Sequence, residues 1–69
     1  MEELKLRDEF IKLGQAMKAA GIVSSGIDAK MLIQDGQVTV NGEVETRRGK
    51  KIYDGDVFEF EGEEFKVVK

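Results

Sequence analysis

The chain has 69 residues and a net charge of −3, with 11 Lys and Arg against 14 Asp and Glu. One domain is expected, because typical domains have about 100–150 residues. The sequence contains no Cys and no His, which excludes disulfides, zinc ribbons, thiolate nucleophiles and imidazole-based catalysis or metal binding. The net negative charge argues at first against a nucleic-acid partner.

The chain carries no sequence signal for export or membrane insertion. Its first nine residues are rich in charge, unlike the apolar centre of a signal peptide. No apolar run approaches the roughly 20 residues needed to span a bilayer. We therefore expect a soluble, cytoplasmic protein with no membrane partner.

The N-terminal part of the chain predicts an edge strand followed by a short helix. Leu4 and Leu6 alternate with charged residues, which is the strand pattern. Residues 13–20 then place apolar side chains at positions i, i+3, i+4 and i+7, which form one face of a helix. Gly14 is expected near the N-cap of this helix, and Gly21 is expected to end it in a left-handed conformation.

A second helix is predicted a few residues further on. Ser25, with an acidic residue three positions later, is typical of an N-terminal capping box. Ile27 and Met31, together with Leu32, are expected to form the buried face of this helix, and Gly36 is expected to end it. Because the link between the two helices is short, they should pack against each other as a helix-turn-helix-like pair.

After Gly36 the apolar period changes from 3.6 to 2, which predicts strands. Val38 and Val40 lie on one face of the first strand, and Asn41-Gly42 predicts a tight hairpin turn. Further strand segments are predicted to begin at Val44, Ile52, Val57 and Phe65. The expected fold class is therefore α+β, with two short helices packed on a small antiparallel sheet.

Charge is unevenly distributed along the chain. Residues 1–9 carry a net charge of −2, residues 10–51 carry +3, and residues 52–69 carry −4. Because salt screens charges beyond about 8–10 Å, phosphate binding depends on the local surface and not on the total. The helix pair and the first hairpin therefore form a candidate binding surface for a polyanion.

The strongest basic element is the run R-R-G-K-K at residues 47–51. Arg offers paired donors to a phosphate, Lys offers a compact charge, and Gly permits close approach of the backbone. The alternative interpretation is a solvated surface loop. Four cations within five residues, with no acidic residue among them, favour a phosphate-binding loop.

Other polar residues have competing explanations. Lys18 and Lys30 lie on the polar faces of the predicted helices, where solvated lysines are common. Gln34 and Gln37 could hydrogen-bond a nucleic acid, whereas Asn41 is already explained by the turn and Ser25 by capping. We expect no catalytic residue, no metal site and no cofactor.

The acidic and aromatic residues of the C-terminal half are interpreted structurally. Asp54, Asp56, Glu59 and Glu61 could in principle form an acid–base or metal site, but their alternation with apolar residues favours a solvent-facing strand edge. The phenylalanines are expected in the core. Tyr53, beside the basic run, is the one aromatic residue with a plausible stacking role, although partial burial is the simpler expectation.

Residues 18–42, K-A-A-G-I-V-S-S-G-I-D-A-K-M-L-I-Q-D-G-Q-V-T-V-N-G, resemble the S4 RNA-binding domain. The further motifs I-K-L-G-Q at 11–15, R-R-G-K-K at 47–51 and Y-D-G-D at 53–56 resemble the small stand-alone bacterial members of the YaaA/YbcJ type. The resemblance covers about residues 10–60. It implies the S4-like fold, also called the alpha-L motif, within one domain that spans residues 1–69.

The resemblance implies a non-catalytic protein that binds structured RNA, such as ribosomal or transfer RNA, through a basic face of the helix pair and hairpin. Ribosome assembly and RNA quality control are the implied processes, with ribosomal particles as partners, no small-molecule substrate and a monomeric state. Gly26 departs from the family where many members carry Arg, and Gly14 replaces an acidic cap. The resemblance and the residue types together predict these RNA-binding residues: Lys18, Ser25, Lys30, Gln34, Gln37, Asn41, Arg47, Arg48, Lys50 and Lys51.

Two other functions fit the sequence less well. A protein-interaction module could use the acidic residues 54–64 as its contact surface. Duplex DNA binding through the helix pair is also open, because helix-turn-helix geometry alone does not separate DNA from RNA. A ubiquitin-like carrier is disfavoured, since such carriers end in Gly-Gly and this sequence ends in Val-Val-Lys.

Overall fold

The predicted change from helices to strands after Gly36 is confirmed by the computed structural model, which describes all 69 residues. The α+β class is confirmed as well. The elements, in chain order, are β1 (Glu2–Lys5), β2 (Phe10–Lys12), α1 (Leu13–Ala19), α2 (Gly26–Gln34), β3 (Val38–Val40), β4 (Glu43–Val44), β5 (Lys51–Tyr53), β6 (Val57–Phe60) and β7 (Glu63–Val68).

The main sheet has five strands in the order β1-β7-β6-β3-β4. The predicted edge strand near the N-terminus is confirmed as β1. The sheet is mixed and not purely antiparallel, because β1 runs parallel to β7, with Leu4 opposite Val67. Nearly the whole chain separates these two strands, so no hairpin turn dictates their relative direction. The other pairs in this sheet are antiparallel.

A second sheet consists only of β2 and β5, which pair antiparallel. The sequence did not predict β2, because its three residues run directly into α1 with no turn signal between them. Ile11 lies opposite Ile52 and these two side chains face inward, with Ile52 fully buried. Their neighbours Phe10 and Tyr53, also opposite each other, therefore lie on the outward face.

Helix α1 matches its prediction in extent but not at its N-terminus. Lys12, and not Gly14, is the N-cap residue, while Gly14 is the second residue of the helix and is buried. The difference arises because β2 leads straight into α1, which places the cap two residues earlier. Gly21 has a φ of 79° and ends the helix as predicted.

Helix α2 begins as predicted but buries a different face. The Ser25 hydroxyl accepts a hydrogen bond from the backbone N–H of Asp28 at 3.2 Å. The prediction that Ile27 and Met31 are buried is wrong, since they are 72% and 64% exposed. The buried residues are instead Ala29 and Ile33, and Leu32 is half-buried.

The core lies between the helix pair and the inner faces of both sheets. Phe58 and Phe65 stack within it with ring centroids 5.1 Å apart, as expected for core phenylalanines. Phe10 and Phe60 are only half-buried, so the expectation holds for two of the four. No helix is long and apolar enough to cross a membrane. The buried apolar residues are Leu6, Leu13, Ala16, Met17, Ala29, Ile33, Val38, Val40, Ile52, Phe58, Phe65 and Val67.

Candidate functional site

The basic loop, residues 47–51, is anchored to the start of α1 by backbone hydrogen bonds. The N–H of Leu13 donates to the carbonyl of Lys50 at 2.8 Å, and the N–H of Gly14 donates to the carbonyl of Arg48 at 3.1 Å. The first amides of a helix have no partner within the helix. The loop therefore satisfies two of them, and its position relative to α1 is fixed.

Gly14 allows the side chain of Arg48 to lie against α1. A Cβ atom on residue 14 would be 2.6 Å from Cγ and 3.2 Å from Cδ of Arg48. Both distances are shorter than ordinary van der Waals contact, so a larger residue would displace the arginine. The glycine of the I-K-L-G-Q motif thus sets where one cation of the basic loop lies.

Arg48 and α1 enclose a cleft of about 360 Å³, here called the basic cleft. Its three cations, Lys12, Lys18 and Arg48, form no ion pair, so their charges are uncompensated. The lining includes no acidic and no hydrophobic side chain, which suits a phosphate and gives no stacking surface for a base. The full lining is Lys12, Gly14, Gln15, Lys18, Gly26, Arg48 and Gly49.

Arg47, in contrast, already forms an ion pair with Glu45. Its Nε atom lies 2.9 Å and its Nη2 atom 3.2 Å from the two carboxylate oxygens of Glu45, whose Oε2 also accepts from the Arg47 backbone N–H at 3.0 Å. These bonds lower the pKa of the Glu45 carboxyl, and they raise the pKa of the Arg47 guanidinium. The basic run contains no acid, but Glu45 just before it neutralises one of its four cations. The bonds between Arg47 and Glu45 therefore restrain the start of the basic loop.

The remaining cations of the basic loop line a second depression beside the cleft. Lys50 and Lys51 lie there with Arg47 and Tyr53, and Gly49 borders both depressions. The Nζ atom of Lys51 is 4.8 Å from the centre of the Phe10 ring, which is a cation–π distance. The structure therefore brings together most of the cations that the sequence singled out.

Asn41 and Ser25, which are also predicted to bind RNA, have hydrogen-bond partners within the fold. The Asn41 amide donates to Oδ1 of Asp56 at 3.0 Å, and its Oδ1 accepts from the N–H of Val57 at 3.0 Å. Asn41 and Gly42 have φ values of 52° and 87°, which confirms the predicted hairpin turn. Ser25 caps α2, as described above. Hydrogen bonding within the fold accounts for the polar side chains of both residues.

Three further predicted residues lie outside the basic cleft. Gln34 and Gln37 line a shallow depression at the C-terminal end of α2, where the Gln37 amide donates to Asp35 at 2.7 Å. Lys30 is exposed on α2 and lines neither basic depression. A role for these three side chains in RNA binding stays a prediction.

Lys12 and Gln15 are cleft residues that sequence reasoning missed. Both belong to the I-K-L-G-Q motif at residues 11–15, which entered only as part of a resemblance. The sequence did contain a signal for these two residues, because the motif places a lysine and a glutamine on either side of a glycine at the start of a helix. Their relation to Arg48 depends on a contact across more than thirty residues, which no local pattern reveals.

The acidic residues of the C-terminal half have structural roles, with one correction. Asp54 accepts from the N–H of Lys69 at 2.9 Å, and Asp56 accepts from the N–H of Tyr53 at 2.8 Å. No group of three or more acidic residues is arranged to hold a metal ion. The predicted strand edge is wrong for Glu59, because β6 lies between β7 and β3 and Glu59 faces Glu64.

Comparison with known proteins points to one family. The model of the S4 domain family matches residues 4–68. RlbA of Bacillus subtilis, named as a probable ribosome maturation protein, is 44% identical over 59 residues, which cover 86% of this chain and 83% of RlbA. YbcJ of Escherichia coli, named as a candidate RNA-binding protein, is 41% identical over 58 residues, which cover 84% of this chain and 83% of YbcJ.

A solved structure matches the whole chain. The solution structure of YbcJ, described as having an alpha-L motif involved in RNA binding, has a TM-score of 0.76 with this chain. The match covers 100% of this chain and 89% of that one, at 37% identity. The resemblance predicted from the sequence is confirmed, and so is the S4-like, alpha-L form of the α+β fold.

Proposed function

We propose an RNA-binding function for this chain, which belongs to the S4 domain family. The protein binds structured RNA without catalysing a reaction, and the basic cleft with the adjoining basic loop is its contact surface. The observation that carries this proposal is the uncompensated positive charge of Lys12, Lys18 and Arg48 around one cleft that no hydrophobic residue lines.

The chemistry of the cleft favours the sugar–phosphate backbone as its ligand. Lysine and arginine side chains bind phosphate oxygens through charge-assisted hydrogen bonds, and these contacts position a nucleic acid without reading its sequence. Gln15 adds a neutral side chain with both donor and acceptor groups at the same site. Such a donor–acceptor pair suits the ribose 2′-hydroxyl, which is the group that distinguishes RNA from DNA.

The names of two relatives support the finer parts of the proposal. The names of RlbA and YbcJ support ribosomal RNA as the target and ribosome assembly as the process. Ribosome assembly takes place in the bacterial cytoplasm, which is the location we propose. The protein acts there as a single S4-like domain and as a monomer, and transfer RNA is the other structured RNA that the same surface suits.

A salt titration of binding tests the proposal. Wild type and the double variant Lys18→Gln/Arg48→Gln are titrated with a short RNA hairpin and with duplex DNA at a series of salt concentrations. The expected result is tighter binding to RNA and a salt slope that falls in the variant by up to about 0.9 for each lost phosphate contact.

The matched control is Lys5→Gln/Lys66→Gln, which removes the same charge from unpaired exposed lysines on the main sheet. This variant should keep the wild-type slope. Equal slopes for all three proteins would contradict the assignment of the basic cleft, and tighter binding to duplex DNA would contradict the preference for RNA.

A further inference from the structure

The outward face of the small sheet formed by β2 and β5 combines aromatic rings with positive charge. Phe10 lies opposite Tyr53, and Lys12 lies opposite Lys51. Alternate residues of a strand point to the same side, so all four side chains share one face. The other face of the same two strands is apolar and turned to the core, with Ile52 fully buried. We refer to the outward face as the aromatic platform.

The aromatic rings of the platform are held in place. Their centroids are 5.8 Å apart at an interplanar angle of 50°, which is a favourable aromatic contact. Lys51 places its ammonium 4.8 Å from the Phe10 centroid and so occupies one face of that ring. Tyr53 is 45% exposed and is the most accessible aromatic residue of the chain. Its ring is a supported surface for a further planar group.

The charges around the platform select a polyanion. Lys12 and Lys51 are directly opposed across the two strands, an arrangement of like charges that is unfavourable without a neighbouring anion. Lys12 also lines the basic cleft, while Lys51 lines the depression that contains Lys50 and Tyr53. The platform therefore joins both basic depressions, and an RNA strand that crosses it would contact phosphate-binding side chains on either side.

We infer that the aromatic platform stacks an unpaired base of the bound RNA on Tyr53, with Phe10 as support and with Lys12 and Lys51 beside the flanking phosphates. This inference rests on the proposed function and adds to it a preference for RNA that contains an unpaired nucleotide. A base inside a duplex has both faces covered, so only a bulged or single-stranded nucleotide can use the platform. The protein thus recognises an unpaired nucleotide next to the segment whose backbone enters the basic cleft.

Tyrosine fluorescence provides a direct test, because Tyr53 is the only tyrosine and the chain has no tryptophan. Wild type is titrated with a short RNA hairpin whose two strands are joined by a non-nucleotide linker and which carries one bulged adenosine, and with the same fully paired hairpin lacking the bulge. A parallel titration of free tyrosine amide corrects for absorption by the RNA. We expect quenching with the bulged hairpin and little change with the paired one.

Affinity measurements on two variants complete the test, using the anisotropy of labelled RNA. Tyr53→Leu keeps an apolar side chain but removes the π-face, and it should weaken binding of the bulged hairpin by about 5- to 150-fold. Tyr53→Phe keeps the ring and is the matched control, with affinity close to wild type. Both variants should bind the paired hairpin as wild type does.

The outcomes separate this inference from the proposed function. If neither hairpin quenches Tyr53 and Tyr53→Leu binds the bulged hairpin with wild-type affinity, the platform does not stack a base. The RNA-binding proposal would still stand if Lys18→Gln/Arg48→Gln reduced the salt slope in the same assay. If wild type bound neither hairpin, both proposals would be contradicted.

Discussion

Gly14 lies at a helical position where a methyl group would come 2.6 Å from Cγ of Arg48. Alanine is the better helix former, so the glycine costs about 1 kcal/mol of helix propensity. What it provides is room for Arg48 to lie against α1 and to line the basic cleft. At the scale of single residues, therefore, the position of one cation depends on the absence of a side chain elsewhere.

Substitution of this glycine should affect binding more than stability. In Gly14→Ala the gain in helix propensity offsets the crowding, because the crowded atoms belong to a flexible side chain that can move. We expect the free energy of unfolding to change by less than about 1 kcal/mol. RNA affinity should fall by about two- to fivefold, the worth of one exposed ionic contact.

Urea denaturation and RNA titration measure the two effects separately. Ile27→Ala is the matched control, because Ile27 is likewise the second residue of its helix but is 72% exposed and does not line the basic cleft. The control should change neither quantity appreciably. A large loss of stability in Gly14→Ala with unchanged RNA affinity would contradict this role for Gly14.

The pairing of Glu45 with Arg47 predicts a dependence of stability on pH. Hydrogen bonds from the Arg47 side chain lower the pKa of the Glu45 carboxyl from its ordinary value of 4.5. A carboxyl group with a lowered pKa in the folded state stabilises the protein above its unfolded-state pKa. That stabilisation is lost as the pH falls through the lower, folded-state pKa.

Comparison of wild type with Glu45→Gln in urea denaturation isolates this contribution. Wild type should be the more stable protein near neutral pH, and the difference should shrink as the pH falls below about 4.5 and disappear once the pH is below the lowered, folded-state pKa. The effect is small, because Arg47 is 71% exposed and the pair is screened by solvent. A difference that is the same at neutral and acid pH would contradict the predicted linkage.

At the scale of elements, α2 is a helix whose buried face the sequence pattern does not determine. Its apolar residues cover most of the circumference, so the helical period alone allows more than one buried face. The exposed choice, Ile27 and Met31, has the same i, i+4 spacing as the buried choice, Ala29 and Ile33. Contact with α1 decides between them, and that contact lies outside the reach of a local pattern.

The two faces of α2 should differ sharply in their contribution to stability. Ile33→Ala removes a fully buried side chain, and we expect it to lower the free energy of unfolding by about 2–5 kcal/mol. Met31→Ala, at a position that is 64% exposed, should cost less than about 0.5 kcal/mol. Urea denaturation of both variants provides the comparison, and costs of similar size would mean that the assigned face is wrong.

The strands also differ in whether a local sequence pattern or a distant partner strand defines them. Asn41-Gly42 and the alternation of Val38 and Val40 predicted a hairpin that is present, because turn chemistry and period act over a few residues. Strand β2 was missed, since its three residues form a strand only through pairing with β5, some forty residues later. Elements defined by a local signal were predictable, whereas those defined by a distant partner were not.

At the scale of the whole molecule, the basic and acidic segments of the sequence form separate parts of the fold. The basic middle segment provides the basic cleft and the basic loop, whereas the acidic C-terminal segment forms β6, β7 and their turns. The sequence was sufficient to predict the basic loop and its cations. It could not predict that Lys12, Lys18 and Arg48 line one cleft, because Arg48 lies some thirty residues further along the chain than the two lysines.

The most direct test of the central claim is an amide-resolved NMR titration of the wild-type protein with a short RNA hairpin. We expect chemical-shift changes at the cleft and loop, namely at Lys12, Gln15, Lys18, Gly26 and residues 47–51. The amides of residues 59–64, in the acidic hairpin of β6 and β7, should not shift. Changes confined to that acidic hairpin, with none around the basic cleft, would contradict the account.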